Sequence, residues 1–110
     1  MHMDVFTALA TPTRRNIIEI LAAKGALPAS DIYDKFDASP PAISQHLKAL
    51  HDVGLVRMKK RGRQHIYELD TEGIDALELW TQKITFLWNK RLDTLNMVLE
   101  AEKRKQSIQK

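Results

Sequence analysis

Apolar residues recur at helical spacing along most of the chain and with a period of two along one short stretch. Residues 3–10 carry Val5, Phe6 and Leu9, enough for a short first helix. Thr11 then offers an N-cap with Pro12 at the first helical position, where no N–H is needed. The segment TRRNIIEILAAK keeps the period through Ile17, Ile20, Leu21 and Lys24, Ile18 widens the stripe, and Gly25 is suited to end it. Pro28 and Ser30 open a two-turn helix, SDIYDKF, with Ile32 and Phe36 inward. After the polar pair Asp37-Ala38 comes SPPAISQHLKAL, in which Ile43, Leu47 and Leu50 form one apolar stripe. Pro41, Ser44, Gln45 and Lys48 share the opposite side, and the helix continues to Val53 and stops at Gly54.

Beyond Gly54, Val56 and Met58 point one way and Arg57 and Lys59 the other. Tyr67 and Leu69 alternate with Ile66 and Glu68 in the same manner. Between the two runs lies KRGR, where Gly62 can take a positive φ and close a hairpin. From Thr71 to about Lys105 the pattern is helical again and free of proline, as one helix or with a short first piece ending near Trp80. A helix of about 25–30 residues spans about 40 Å, longer than a small domain. Leu77, Trp80, Ile84, Leu87, Trp88, Leu92, Leu95 and Leu99 form its main stripe, with Leu79, Phe86, Met97 and Val98 expected to broaden it. So much apolar surface calls for a second subunit, the alternative being a helix wrapped on several sides by its own chain.

The expected fold is therefore mainly α with a small β-hairpin. A helix-turn-helix followed directly by a basic-tipped hairpin is a winged helix-turn-helix, placed at residues 11–70 of one domain spanning 1–110. Residues 3–10 and 71–105 are the expected dimerisation helices, and residues 106–110 a frayed tail. The interface candidates are Phe6 and Leu9 from the first helix and Trp80, Ile84, Leu87, Trp88, Leu92, Leu95 and Leu99 from the last.

Composition sharpens this picture in two places. The chain of 110 residues has no cysteine, which excludes disulfides, thiolate metal sites, a cysteine nucleophile and a thiol redox switch. Its net charge of +3 conceals a segment, Arg57 to His65, that carries five basic residues and no acid, against −2 for everything else. Charge concentrated in this way suits a phosphate-rich partner, and the plain alternative is a solvated turn. No apolar run reaches a membrane span and MHMDVF does not read as a signal segment, so a cytoplasmic chain is expected with no membrane partner.

A winged helix puts the second helix of the pair into the major groove with its N-terminal residues against base edges. Ser39 is the N-cap, its hydroxyl accepting from Ala42 because Pro40 and Pro41 have no N–H; alternatively the helix begins at Pro41. Both registers leave the same face outward. The prolines remove donors that could hold phosphate but present rigid apolar surface to a thymine methyl. Ser44 and Gln45 are the base-edge candidates, glutamine being able to pair bidentately with adenine, and Lys48 reaches phosphate or guanine. The alternative for Gln45 and Lys48 is simple solvation. His46, at the edge of the apolar stripe, is expected to be a half-buried structural histidine, with His51 and His65 exposed and His65 near phosphates. His2 is close enough to the amino terminus for weak copper binding, which is not taken as a function. In the wing, Arg61 and Arg63 flank Gly62 as candidates for phosphate or the minor groove, and Arg57, Lys59 and Lys60 add to the field.

The segments ALATPTRRNIIEIL, SPPAISQHLKALHDVGLV and RGRQHIYEL, in that order, resemble the ArsR/SmtB family of bacterial and archaeal winged-helix repressors. The resemblance covers roughly residues 5 to 70. It implies a homodimer, with the first and last helices at its interface, that binds a palindromic operator in double-stranded DNA and blocks transcription. Many members sense metals through a cysteine motif in the third helix, which here reads ASDIYDKF. Others use histidines and carboxylates of the last helix; no histidine follows Ile66, although Asp75 and Glu78 remain. No metal site and no cofactor are expected. The tail WTQKITFLWNKRLDTLNMVL resembles a metal-independent branch of the family with a tryptophan-rich last helix and an arginine-leucine-aspartate motif. Members of that branch often lie beside genes for small ligand-binding proteins, an association that names no effector.

Two other classes compete. A winged-helix module could use its apolar last helix on another protein, with DNA affinity incidental. An enzyme lacks support: no nucleophile pattern, glycine-rich phosphate loop or paired carboxylates can be read.

Overall fold

The computed structural model describes residues 3–108; His2, the weak copper candidate, and residues 109–110 lie outside them. The first helix, α1 (Val5–Leu9), starts at Asp4, whose Oδ1 accepts the Thr7 N–H at 2.7 Å. That bond holds the Asp4 carboxyl below its ordinary pKa. The residue α1 buries is Ala8; Phe6 stays half exposed and Leu9 half-buried. Pro12 opens α2 (Pro12–Lys24), which buries Ile17 and Leu21 and ends where Gly25 takes a φ of 80°.

The chain then makes a two-residue strand, β1 (Leu27–Pro28), before α3 (Ala29–Tyr33). This third helix is shorter than the SDIYDKF turn pair expected from the sequence. Lys35 and Phe36 donate to Ile32 and Tyr33, three residues back, which tightens the chain out of α geometry. Ile32 is fully buried, whereas Phe36 falls past the helix and is half-buried.

Helix α4 (Pro40–Asp52) begins at Ser39, whose Oγ accepts the Ala42 N–H at 3.3 Å, the first of the two registers considered. Its end is fixed by two crossed bonds: Leu55 N–H to Leu50 C=O, and Gly54 N–H to His51 C=O, both 3.0 Å. Gly54 supplies the φ of 81° this closure needs, and Leu50 and Leu55, both fully buried, meet beneath it. The closure aims the chain directly into β2 (Val56–Arg61), which turns at Gly62 and Arg63 into β3 (Gln64–Leu69). Gly62, with a φ of 62°, holds the first of the two loop positions, as a tight hairpin of right-handed twist requires. The sheet has three antiparallel strands in the order β1-β3-β2, not the two expected: Leu27 pairs with Tyr67 and Pro28 with Ile66. Ile17, Leu21, Ile32, Ile43, Leu47, Leu50, Leu55 and Val56 form the core, drawn from α2, α3, α4 and the start of the wing.

The last helix, α5 (Thr71–Ile108), is continuous; it has no break near Trp80 and runs through 106–108, where fraying was expected. Its first turn belongs to the winged-helix unit. Asp70 donates to the Leu55 carbonyl at 2.9 Å, and Gly73 lies so near the Gly54 carbonyl that a Cβ there would collide with it. One compact unit ends at Asp75 and the second, the remainder of α5, begins at Ala76, within a chain expected to form a single domain. From Glu78 to Gln106 every residue is exposed. Continuity also corrects one expectation. At 3.6 residues per turn Val98 joins the main stripe, but Leu79, Phe86 and Met97 fall on the opposite side of the helix rather than broadening it.

Two substitutions probe this packing. Leu47→Ala, at a site with no exposed surface, should cost about 2–5 kcal/mol in urea unfolding. Gly73→Ala should also destabilise, although alanine in a helix interior normally gains about 1 kcal/mol over glycine; a rise in stability would show that the Gly54 contact yields.

Candidate nucleic-acid interface

With Ile43, Leu47 and Leu50 sealed into the core, α4 has one orientation available, and its period puts Pro41, Ser44, Gln45 and Lys48 outside. All four are exposed, as are Ser39 and Pro40 at its start. Between the two faces lies His46, half-buried, whose Nδ1 accepts a hydrogen bond from Arg14 Nε of α2 at 3.1 Å. Removal from water, and secondarily the Arg14 charge, push the His46 pKa below the ordinary histidine value. The imidazole is thus a neutral acceptor that ties α4 to its scaffold, the structural role expected of it.

Register sorts the wing's charges onto two sides. Arg57 lies opposite Glu68 and Lys59 opposite Ile66 on one face; Met58 lies opposite Tyr67 and Lys60 opposite His65 on the other. On the first face Arg57 Nη2 and Lys59 Nζ approach the same carboxylate oxygen, Glu68 Oε1, at 3.4 and 3.2 Å. These are ion pairs without hydrogen-bond alignment. They offset part of the positive charge that the sequence places there. Arg61 shares that side of the strand but ends it beside the turn, opposite Gln64, two register pairs closer to the tip than Lys59.

On the second face the wing and the helix pair enclose a cleft of about 380 Å³ lined by Ser30, Tyr33, Ser44, Arg63, His65 and Tyr67. Past Ser44 the concavity continues along Lys48, His51 and Met58. Burial, with Tyr33 alongside, raises the Tyr67 pKa, so the phenol keeps its proton and can donate. Of the residues picked from the sequence, the structure brings Ser44, Lys48 and Arg63 into this concavity and leaves Gln45 and Pro41 on the exposed ridge of α4 beside it. Arg57 and Lys59 are turned away from it. His51 and His65 are exposed as expected. Sequence reasoning missed Ser30, Tyr33 and Tyr67 as site residues; Tyr67 was visible in the alternation with Leu69, but nothing local showed what it would face.

Outside this concavity, the interface candidates Trp80, Ile84, Leu87, Trp88, Leu92, Leu95 and Leu99 are between 38% and 56% exposed on α5, where Arg91 sits over the Trp88 ring at 6.0 Å. Among the described residues, no three histidine, aspartate or glutamate side chains converge as a metal site would need, and no helix is long and apolar enough to cross a membrane.

The sequence matches the bacterial regulatory proteins of the arsR family over residues 11–58, from the start of α2 into β2. It is 33% identical over 92 residues to the arsenical resistance operon repressor of Staphylococcus xylosus, covering 84% of this chain and 77% of that one. An ArsR-like transcriptional regulator from Rhodococcus sp. RHA1 superposes with a TM-score of 0.75 at 30% identity, over 86% of this chain and 88% of that one. The homodimeric winged helix-turn-helix DNA-binding domain Mb0332 of Mycobacterium bovis superposes with a TM-score of 0.60 at 27% identity, over 74% of each chain.

The burial of His46, with the Arg14 charge beside it, makes stability depend on pH in a defined direction. The unfolded chain holds the His46 proton more tightly than the folded one, so folding is favoured above about pH 6.5 and weakened as pH falls toward the lower folded value. His46→Gln keeps an acceptor for Arg14 but cannot titrate. Between about pH 7 and about pH 5 the melting temperature of the natural chain should fall more than that of the variant; parallel profiles would remove His46 from the linkage.

Proposed function

The chain belongs to the arsR family of bacterial regulatory proteins, and we propose that it is a homodimeric repressor that reads a palindromic operator without sensing a metal. The observation that carries the reading is the exposed row Pro41, Ser44, Gln45 and Lys48 on a helix whose other side is completely buried. Base edges are read from such a row: Gln45 pairs with adenine N6 and N7, Ser44 accepts or donates beside it, and the prolines lie against thymine methyls. Lys48, Arg61 and Arg63 take phosphates or the narrow groove, with Lys60 adding field and Arg57 and Lys59 contributing what Glu68 leaves.

Two copies related by a two-fold axis place their recognition helices on half-sites about 10 bp apart, or a multiple of that, along one face of the duplex. The main stripe of α5, with α1, supplies the contact between copies; that the chain pairs at all is supported by the homodimeric Mycobacterium bovis relative. Repression then follows from occupying DNA that the transcription machinery needs. Metal independence rests on donor chemistry. The relatives include arsenical and cadmium resistance regulators by name, but this chain has no cysteine and its described histidines and carboxylates do not cluster.

Fluorescence anisotropy against DNA from upstream of the protein's own gene, beside a scrambled duplex, tests this at about 50 and 200 mM salt. The upstream duplex should bind about a thousandfold or more tightly at both. Gln45→Ala should relax discrimination at one base position by about 1–3 kcal/mol, whereas neutralising Arg61 and Arg63 together should weaken both duplexes and flatten the salt slope by about two. Equal binding that vanishes at the higher salt would leave only a charged wing and overturn the operator reading.

A further inference from the structure

The side of α5 opposite its main stripe carries the most exposed large apolar side chains among the described residues: Leu79 at 67%, Phe86 at 64% and Met97 at 70%. They are joined on that side by Lys83, Lys90, Asp93, Glu100 and Arg104. Steps of four and three residues link all eight, so they hold one line along the helix for about 38 Å, roughly 160° from the main stripe. None of these charged side chains makes an ion pair among the described residues.

The order along this line is complementary to its own reverse. Laid antiparallel on a second copy about a two-fold axis between Arg91 and Leu92, Lys83 meets Glu100 of the second copy. Phe86 meets its Met97, Lys90 its Asp93, and the Leu79 side chain packs along the stem of its Arg104. Symmetry repeats every contact, giving an isologous seam of four ion pairs and two aromatic–methionine contacts at each end of which a leucine is covered. A parallel pairing in register would set lysine on lysine and acid on acid. An antiparallel pairing slipped by one heptad would put Phe86 against Lys90.

We propose that this face of α5 is a second self-association surface, on which another copy of the chain docks antiparallel through these contacts. It is independent of the operator reading and uses the side of the helix that the homodimer stripe leaves free; each homodimer presents it twice, so docking joins homodimers first into tetramers and, as concentration rises, into longer assemblies. Lysine in the seam weakens the contact while selecting its register, which makes the association concentration-dependent.

Sedimentation velocity of the full chain from micromolar to millimolar concentration tests this. The expected result is a reversible doubling of whatever particle exists at high dilution, weakened by salt. Lys83→Glu or Glu100→Lys alone places like charges together twice and should raise the dissociation constant about tenfold or more, whereas the double exchange Lys83→Glu with Glu100→Lys should restore it. No doubling at any concentration, no effect of the single changes, or no rescue by the double change would each overturn the proposal. A monomer at high dilution would instead count against the homodimer, and operator binding is scored separately.

Discussion

Everything at the candidate nucleic-acid interface depends on how Ile43, Leu47 and Leu50 are buried. These three side chains, with no exposed surface, lock α4 against α2, α3 and the root of the wing. Because side chains one helical turn apart share a side, sealing this stripe decides the orientation of Ser44, Gln45 and Lys48 without any contact of their own. The crossed bonds at Leu50–Leu55 extend that control past the end of the helix, since they fix where β2 starts. His46 adds a polar tie on the flank of the same helix, through Arg14, and makes its seat sensitive to protonation. The exposed face of α4 is thus positioned by apolar burial and trimmed by one hydrogen bond.

The wing follows a different logic. Five cations in nine residues look like one patch in the sequence, but a period of two divides them. One side offers Arg63, at the turn, to the concavity shared with α4; the other sets Arg57 and Lys59 against Glu68. The cross-strand carboxylate tempers the field there and orders the base of the hairpin. Charge available to a phosphate backbone is consequently concentrated near the tip and in the cleft, beside two tyrosines that can donate hydrogen bonds without adding charge.

The last helix is the least self-sufficient part of the chain. Beyond Asp75 it is a single helix whose side chains are exposed from Glu78 to Gln106. A lone helix with two apolar lines cannot satisfy either by itself, and the two differ in kind: the main stripe is apolar throughout, whereas charges are interleaved with Leu79, Phe86 and Met97 on the other. The uninterrupted backbone from Thr71 to Ile108 is what keeps the two lines apart.

Much of this was legible in local sequence. The helices around Leu21 and Leu47, the Ser39 cap, the Gly54 stop and the Gly62 turn follow from periodicity and from residues with few conformational choices, because those signals act over a handful of neighbours. The exposed face of α4 could be named for the same reason. The β1 strand could not: Leu27 and Pro28 have no period to show, and their pairing with Tyr67 and Ile66 joins residues distant along the chain. The early end of α3, the capture of Arg57 and Lys59 by Glu68, and the meeting of Tyr33 with Tyr67 were likewise hidden. Each depends on which segments pack side by side, and that is settled by the total burial of the core. The sequence alone determined α4 and the wing that follows it; only the tertiary structure decided which of their charges and hydroxyls share a surface, because a side chain's neighbours across a sheet or cleft are chosen by packing and not by adjacency.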